Sequence, residues 1–409
     1  MRACLCRPGS AHPHRDPRSN SHDRVGPAPM GVGDWSVGVK ITGAVLRTIG
    51  ADRPYDASRP IGVRELTLDP PGPTECLIEI EAAGICHSDL SVVNGDRVRP
   101  VPMLLGHEAA GRVVETGGEV TDVRVGDRVI MTFLPRCEEC AACRTNGRVP
   151  CEVGSARNGA GVLFGGDIRL HDDDGDVLHH LGVSAFADYA VVDQRSLVVI
   201  GDDVPADIAA LFGCAVLTGG GAVWNIARPA PGSSIAVLGL GGVGMAAVLT
   251  ALTEPDVEVI AIDPIAAKRE LALSLGAHRA MTPEEAATEG IRVDAVIEAS
   301  GHPAALASGV DLLAAGGVLA ATGLSAPDAM TSISPLRLVA QALTISGCYL
   351  GSSVPRRDIP RFIDLWRDGR LPLESIISHR IRMADLPEQI NTAMDRLEDA
   401  QALRQVIVA

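Results

Sequence analysis

Residues 234–263 constrain the fold of this chain more than any other stretch. Ile235-Ala236-Val237-Leu238 is a continuous apolar run, as a parallel strand buried on both faces requires. Gly239-Leu240-Gly241-Gly242-Val243-Gly244 follows at once, and residues 245–252 read as a helix. In such a loop Gly239 allows the tight turn and Gly241 lets a pyrophosphate approach the backbone. Gly244 lets the helix pack on its strand, with the phosphates at the helix N-terminus. A second apolar strand at 257–262 ends in Asp263, 19 residues after Gly244, where a carboxylate can accept hydrogen bonds from ribose hydroxyls. The alternation continues through helix 266–275, strand 294–298, helix 303–314 and strands 318–321 and 343–347. This pattern predicts a Rossmann doubly wound parallel sheet that binds a dinucleotide.

Upstream the rhythm is different. Residues 41–46, 61–68 and 76–83 are short β-type runs separated by turns, the last alternating as a half-buried strand does. Residues 113–115 and 128–131 continue the series, and 186–192 and 196–200 return as strands before Cys214. A β-rich region is therefore expected as the platform for the loops that carry the chemistry.

Those loops hold two metal-type constellations. Gly84-Ile85-Cys86-His87-Ser88-Asp89-Leu90 offers a thiolate, an imidazole, a hydroxyl and a carboxylate in four consecutive positions. His107, in Gly106-His107-Glu108, comes 21 positions after Cys86, and Cys214, in Phe212-Gly213-Cys214, comes 107 positions after His107. Two thiolates and one imidazole are the ligand set of a catalytic zinc that keeps its fourth position open. Cys137, Cys140, Cys143 and Cys151, separated by two, two and seven residues, can close a tetrahedral site with no open position, which makes it structural. A redox CxxC would leave two of these cysteines unexplained. Asp172-Asp173-Asp174 lacks the spaced oxygen ligands of a calcium site and reads as a solvated turn.

The net charge of −15 argues against nucleic acid or an anionic membrane as a partner. No run approaches 18 uninterrupted apolar residues, which argues against a transmembrane helix. Residues 1–38 have no hydrophobic period and no apolar core of a secretory signal. They are expected to be a disordered tail in which Cys4, Cys6, His12 and His14 have no metal role. A cytoplasmic location follows as an expectation, since closely spaced cysteines there more often mean metal or catalysis than disulfides.

Taken together, these motifs resemble the zinc-containing medium-chain alcohol dehydrogenases from about Lys40 to the C-terminus, and within them the long, liver-type branch. The 63 positions from Cys151 to Cys214 and the segment His179-His180-Leu181-Gly182-Val183-Ser184-Ala185-Phe186 carry the branch resemblance. The resemblance implies a GroES-like catalytic domain over 39–214 together with 349–409, and a cofactor domain over 215–348. It implies zinc on Cys86, His107 and Cys214 with Glu108 behind the metal, Asp89 orienting His107, and Ser88 passing the alcohol proton outward. It implies cofactor contacts from His87 and Arg404 to the pyrophosphate, from Thr218 and Val243 to the nicotinamide, from Asp263 and Lys268 to the adenosine ribose, and from the loop glycines, Gly242 included. Two zinc ions per chain, NAD, a small alcohol or aldehyde as substrate and a homodimer are what such an enzyme has.

The sequence departs from the family in two places. Ser91 stands where liver enzymes often continue the proton relay with a histidine. In the glutathione-dependent formaldehyde branch an acidic residue and an arginine occupy the positions that here hold Arg97 and Ser155. The reading is thus reversible oxidation of an alcohol by NAD. A formaldehyde oxidoreductase acting on a thiol adduct is the nearer alternative and a non-catalytic NAD(H)-binding protein the remoter one. Leu104, Phe133, Leu134, Phe164 and Leu336 are the expected candidates for the walls of the substrate pocket.

Overall fold

The structure, a computed structural model, describes residues 38–409. The expectations for the tail up to residue 37, including its four candidate ligands, lie outside the described residues.

Two β assemblies make up the catalytic part. The first is a closed barrel of Val39–Leu46, Ile61–Leu68, Leu170–Asp172, Gly175–His179 and Met103–Leu104. The triple aspartate forms the turn of the hairpin inside it, and Asp172 and Asp174 both pair with Arg47. The second is a seven-stranded sheet built around Glu75–Ile85, which pairs antiparallel with Ala109–Thr116, Tyr189–Asp193 and the last strand of the chain, Arg404–Val408. The alternation seen in residues 76–83 becomes a buried inner face, with Cys76, Ile78, Ile80 and Ala83 in one apolar core.

The parallel sheet has the order Arg279–Met281, Glu258–Ile262, Ser234–Leu238, Val293–Glu298, Leu313–Ala321, Thr344–Gly347. Ser234–Leu238 has the second strand on one side and the fourth on the other. The strand order reverses there, and a crevice opens beyond its C-terminal end. Sequence periodicity missed Arg279–Met281 and the helix Pro283–Glu289, because the strand is only three residues long. It also placed the end of the helix Pro303–Leu312 two residues late, since the following strand begins directly at Leu313.

The helical run Ala206–Ala227 passes without a break through the expected domain boundary at 214/215 and carries Cys214 near its middle. It is long and apolar enough to cross a membrane by length and composition, but 89% of its most apolar window is buried inside the protein. Here it is the central helix of the largest apolar core, packed against Met245, Ala246 and Leu249 of the cofactor domain and against Phe362. Trp224 stacks on Phe362 at 4.1 Å between ring centroids, and Arg361 lies over the outer face of Trp224.

The C-terminal segment returns to the catalytic part. The buried Asn391 in Leu386–Glu398 pins it, accepting from Ile61 N–H at 3.1 Å and donating to Ile61 C=O at 2.9 Å. Asn391→Ala would leave both backbone groups of Ile61 buried and unpaired. It should lower stability by about 2–4 kcal/mol, which denaturant unfolding followed by fluorescence will measure.

Candidate active site and metal centres

Cys86 leaves the end of the strand Glu75–Ile85 and caps the helix His87–Val93. One carboxylate explains why this turn must read Cys-x-x-Asp. Asp89 Oδ2 accepts the backbone N–H of Cys86 at 2.9 Å, closing a capping box, while Oδ1 accepts from His107 Nδ1 at 2.9 Å. Burial of Asp89 favours its neutral form. The charge of His107 and hydrogen bonds from His107 and His180 outweigh that, and the pKa falls to about 2. An ionised Asp89 fixes Nδ1 as the protonated nitrogen and aims Nε2 into the site.

His107 Nε2 is buried and has no hydrogen-bond partner. The ligand atoms of Cys86, His107 and Cys214 lie within 4.8 Å of one another, all buried. Cys86 is pushed well below the ordinary thiol value, first by its hydrogen bond to Cys214 and then, against burial, by Arg404 and His107. A thiolate, a second sulfur and an orphaned imidazole nitrogen facing one point suit a zinc ion with an open fourth position. Cys214 reaches that point because the helix widens into a π-turn over Phe212–Val216, a distortion characteristic of functional sites. Gly213 is required there, since a Cβ would lie 2.5 Å from Met131 C=O and 3.2 Å from Glu108 Cβ.

Glu108 stands behind the ligands and is not among the three that converge. Its carboxylate lies 2.9 Å from Arg404 Nη2, both side chains being almost wholly buried. Burial raises the Glu108 pKa to about 7 although Arg404 opposes it. Arg404 stays protonated because Glu108 and the two cysteines more than offset its own desolvation. Arg404 also packs on the first residue of the nucleotide-binding helix, where a Cβ on Gly242 would meet its Nε at 2.6 Å.

Cys137, Cys140, Cys143 and Cys151 also converge within 4.8 Å. The Cys137 and Cys143 sulfurs are 3.9 Å apart, too far for a disulfide and suited to two corners of a tetrahedron. Backbone N–H groups of Cys137, Cys140, Cys143 and Gly154 donate to the sulfurs of Cys151, Cys137 and Cys140 at 3.3–3.4 Å and hold them in place. These residues too fit a bound zinc.

A cleft of about 460 Å³ joins the metal point to the crevice of the parallel sheet. Cys86, His87, Ser88, Cys214 and Thr218 line one part, and Gly239, Gly241, Gly242, Val243, Asp263, Lys268 and Arg404 the other. Gly239 has φ 87°, and a Cβ there would lie 2.8 Å from the Ser300 backbone. Gly244 does not line the cleft: its hydrogen faces the Gly239 carbonyl at a place where a Cβ would approach to 1.8 Å. Asp263 is buried at the cleft and accepts the N–H groups of Leu240 and Ile265, so it fixes the glycine loop from below. Ser88 Oγ lies 3.9 Å from Cys86 Sγ, and Ser91 Oγ donates to the Ser88 carbonyl at 3.0 Å.

Of the expected pocket walls, Phe133 alone lines the cleft. Leu104 is in the barrel core, Leu134 in the large apolar core, Phe164 lies under Arg195, and Leu336 is 78% exposed on the short helix Pro335–Ala340. The sequence missed Leu181, Leu324 and Tyr349, which line the chamber beside Ser88. It also assigned no role to the buried His180, whose Nδ1 is 3.2 Å from Asp89 Oδ1 and whose ring meets that of His107 edge to face. The pair His179-His180 was a signal for it. Nothing local marked Tyr349, which arrives from 135 positions beyond Cys214.

A GroES-like barrel and sheet bearing a Cys-His-Cys zinc site, set against a Rossmann sheet across a common cleft, defines the zinc-dependent alcohol oxidoreductases. Residues 72–202 match the alcohol dehydrogenase GroES-like domain family, and residues 242–368 match the zinc-binding dehydrogenase family. The chain is 34% identical over 383 residues to the geraniol dehydrogenase of Castellaniella defragrans, covering 89% of this chain and 96% of that one. Benzyl alcohol dehydrogenase of Acinetobacter calcoaceticus superposes with a TM-score of 0.81 at 29% identity, covering 91% of this chain and all of the other. An alcohol dehydrogenase zinc-binding domain protein of Burkholderia ambifaria gives 0.82 at 30%, covering 91% and 99%. The chain belongs to the zinc-dependent medium-chain alcohol dehydrogenase family.

The position of Ser88 yields a test. Ser88→Ala should keep zinc and cofactor binding, because the hydroxyl ligates nothing. It should lower kcat/KM for alcohol oxidation by about 10²–10⁴-fold at neutral pH, with partial recovery at high pH. Ser88→Thr should retain much of the activity. Steady-state pH profiles of the three proteins will show whether the hydroxyl carries the proton.

Proposed function

We propose that this protein is an NAD-dependent zinc alcohol dehydrogenase of the long, liver-type branch, with two zinc ions per chain, a homodimeric assembly and a cytoplasmic location. The observation that carries the reading is the single cleft in which the Cys86, His107 and Cys214 point and the Asp263 crevice meet. The catalytic part would comprise 39–214 with 349–409 and the cofactor part 215–348, hinged on the helix that carries Cys214.

Zinc in the open site supplies a Lewis acid that makes the alcohol hydroxyl acidic at neutral pH. The chain's own residues do the rest. Asp89 holds His107 in one tautomer, and Ser88 takes the hydroxyl proton toward solvent. Phe133 and Tyr349, packed edge to face at 5.6 Å, keep bulk water from the reacting carbon. Thr218 and Val243, which line the same cleft, would hold the nicotinamide, whose ring would supply the hydride acceptor. Loss of that proton and that hydride leaves the aldehyde or ketone.

Preference for NAD is read from Asp263. A 2′-phosphate would approach a buried carboxylate that already holds the glycine loop, and like charges there repel. Arg269, six residues after Asp263, does not line the cleft. Its Nη1 is taken up by the carbonyls of Asp263 and Pro264, both at 2.8 Å. Support for the dimer is the open edge strand Thr344–Gly347, with Met330, Leu336 and Val339 78–86% exposed nearby. Support for a reducing compartment is that all eight described cysteines are free, six of them in the two metal clusters and the other two, Cys76 and Cys348, in the apolar cores.

Appearance of NADH over a panel of alcohols tests the reading. The kcat/KM with NAD should exceed that with NADP by roughly tenfold or more, as about 1.4 kcal/mol of like-charge repulsion in a partly buried cleft implies. Comparable values would show that Asp263 does not select the cofactor. Metal analysis should find about two zinc ions per chain, as one open and one closed site require. Cys143→Ala should lower the melting temperature while the Cys86 site keeps its metal. One zinc or none in an active preparation would overturn the assignment.

A further inference from the structure

Behind Ser88 the cleft narrows into a small, largely apolar chamber formed by Val92, Phe133, Leu181, Leu324 and Tyr349, with the buried His180 in its wall. Two guanidiniums also line it, those of Arg97 and Arg99. Both come from the loop that follows the helix His87–Val93, and Arg97 N–H ties that loop back to the Ser91 carbonyl at 2.7 Å. Both side chains are only partly exposed.

Their partners differ. Arg99 Nη1 donates to the Asn158 carbonyl at 3.0 Å, near the C-terminal end of the helix Glu152–Ala160, which accounts for its placement structurally. The Arg97 guanidinium has no hydrogen bond and no ion pair among the described residues, although it borders both the chamber and the larger cleft. Its neighbour Asp96 makes no ion pair with it: the Asp96 carboxylate accepts from Asn94 Nδ2 at 2.9 Å. Arg99 is lowered in pKa by its burial and also by Arg97, so the two positive charges are close enough to repel. Two like charges at the wall of an apolar chamber, one of them unpaired, are an unfavourable arrangement until an anion joins them.

Resting on the reading of this cleft as an alcohol site, we propose that the substrate is an alcohol with an apolar body and a remote carboxylate, which Arg97 binds with Arg99 behind it. The hydroxyl lies at the Cys86, His107 and Cys214 point, the hydrocarbon or aryl body runs between Phe133, Leu324 and Tyr349, and the carboxylate meets the planar fork of Arg97. An arginine suits this role better than a lysine because its fork can engage both carboxylate oxygens.

The experiment compares ω-hydroxyalkanoates of several lengths and 4-(hydroxymethyl)benzoate with the uncharged n-alkanols and benzyl alcohol of matched size, using the zinc-loaded protein and NAD. The best acid should exceed its uncharged counterpart in kcat/KM by about tenfold or more, mainly through KM, with the advantage shrinking as ionic strength rises. Arg97→Gln should collapse that ratio toward one and Arg97→Lys should restore part of it. Zinc content and NADH binding, measured on each variant, verify that the site is assembled. If every acid is turned over no better than its uncharged partner, or if Arg97→Gln leaves the ratio unchanged, the proposal is overturned. It is equally overturned if Arg97→Gln raises KM for NAD and not for the acid, or if S-(hydroxymethyl)glutathione outperforms every carboxylated alcohol. Absence of turnover with any alcohol would instead sink the reading of the site on which the proposal rests.

Discussion

The Asp89 carboxylate is the interaction on which the site depends. Its two oxygens tie together three things that the chain brings from different places: the Cys86 turn, the His107 loop and the His179-His180 segment. An unpaired carboxylate so deeply buried would be strongly unfavourable. Two donors, the Cys86 N–H and His107 Nδ1, with His180 close by at 3.2 Å, make the charged form the stable one, and that charge in turn fixes the tautomer of His107. Rigidity and ligand chemistry therefore come from one group.

The buried Arg404 and Glu108 pair plays a second part. The last strand of the chain places Gln405 opposite Ile85, so Arg404 arrives beside Cys86. From there it reaches Glu108 on one side and packs against Gly242 on the other. One guanidinium thus touches both the wall behind the metal ligands and the start of the nucleotide-binding helix. A buried pair of this kind is weak evidence of net stability, because desolvation of both charges opposes their attraction. Its value here is positional, since it holds the two halves of the cleft in register.

The two ends of the cleft are built differently. Toward the parallel sheet, backbone geometry dominates: Gly239, Gly241 and Gly242 keep side chains out of the way, and Asp263 braces the loop through the N–H groups of Leu240 and Ile265. Toward the chamber, side chains dominate, and they come from segments as distant as Val92, Leu181, Leu324 and Tyr349. A dinucleotide presents the same phosphates and ribose to any such protein, whereas alcohols differ in shape and charge. The common part can be encoded in a short run, and the particular part is assembled from scattered residues.

That contrast also separates what was legible in the sequence from what was not. The strand, glycine turn, helix and aspartate of residues 234–263 are local, and so are the Cys86 to Asp89 turn and the four-cysteine spacing, because each depends on backbone geometry or ligand valence over a few residues. The third ligand, Cys214, could be named from its residue type and the Phe212-Gly213-Cys214 context, but the π-turn that delivers its sulfur was not readable. Leu104, Leu134 and Phe164 were apolar, yet the barrel, the core and Arg195 claimed them, and Leu336 stands exposed on a short helix, since hydrophobicity alone does not specify location. His180, Tyr349 and the unpaired Arg97 acquire meaning only when the fold brings them to Asp89, Phe133 and Ser88. The sequence by itself determined the class of cofactor fold and the ligand atoms, because those follow from local geometry and chemistry. The tertiary structure decided the walls and the charge of the chamber, because packing over long sequence separations sets them.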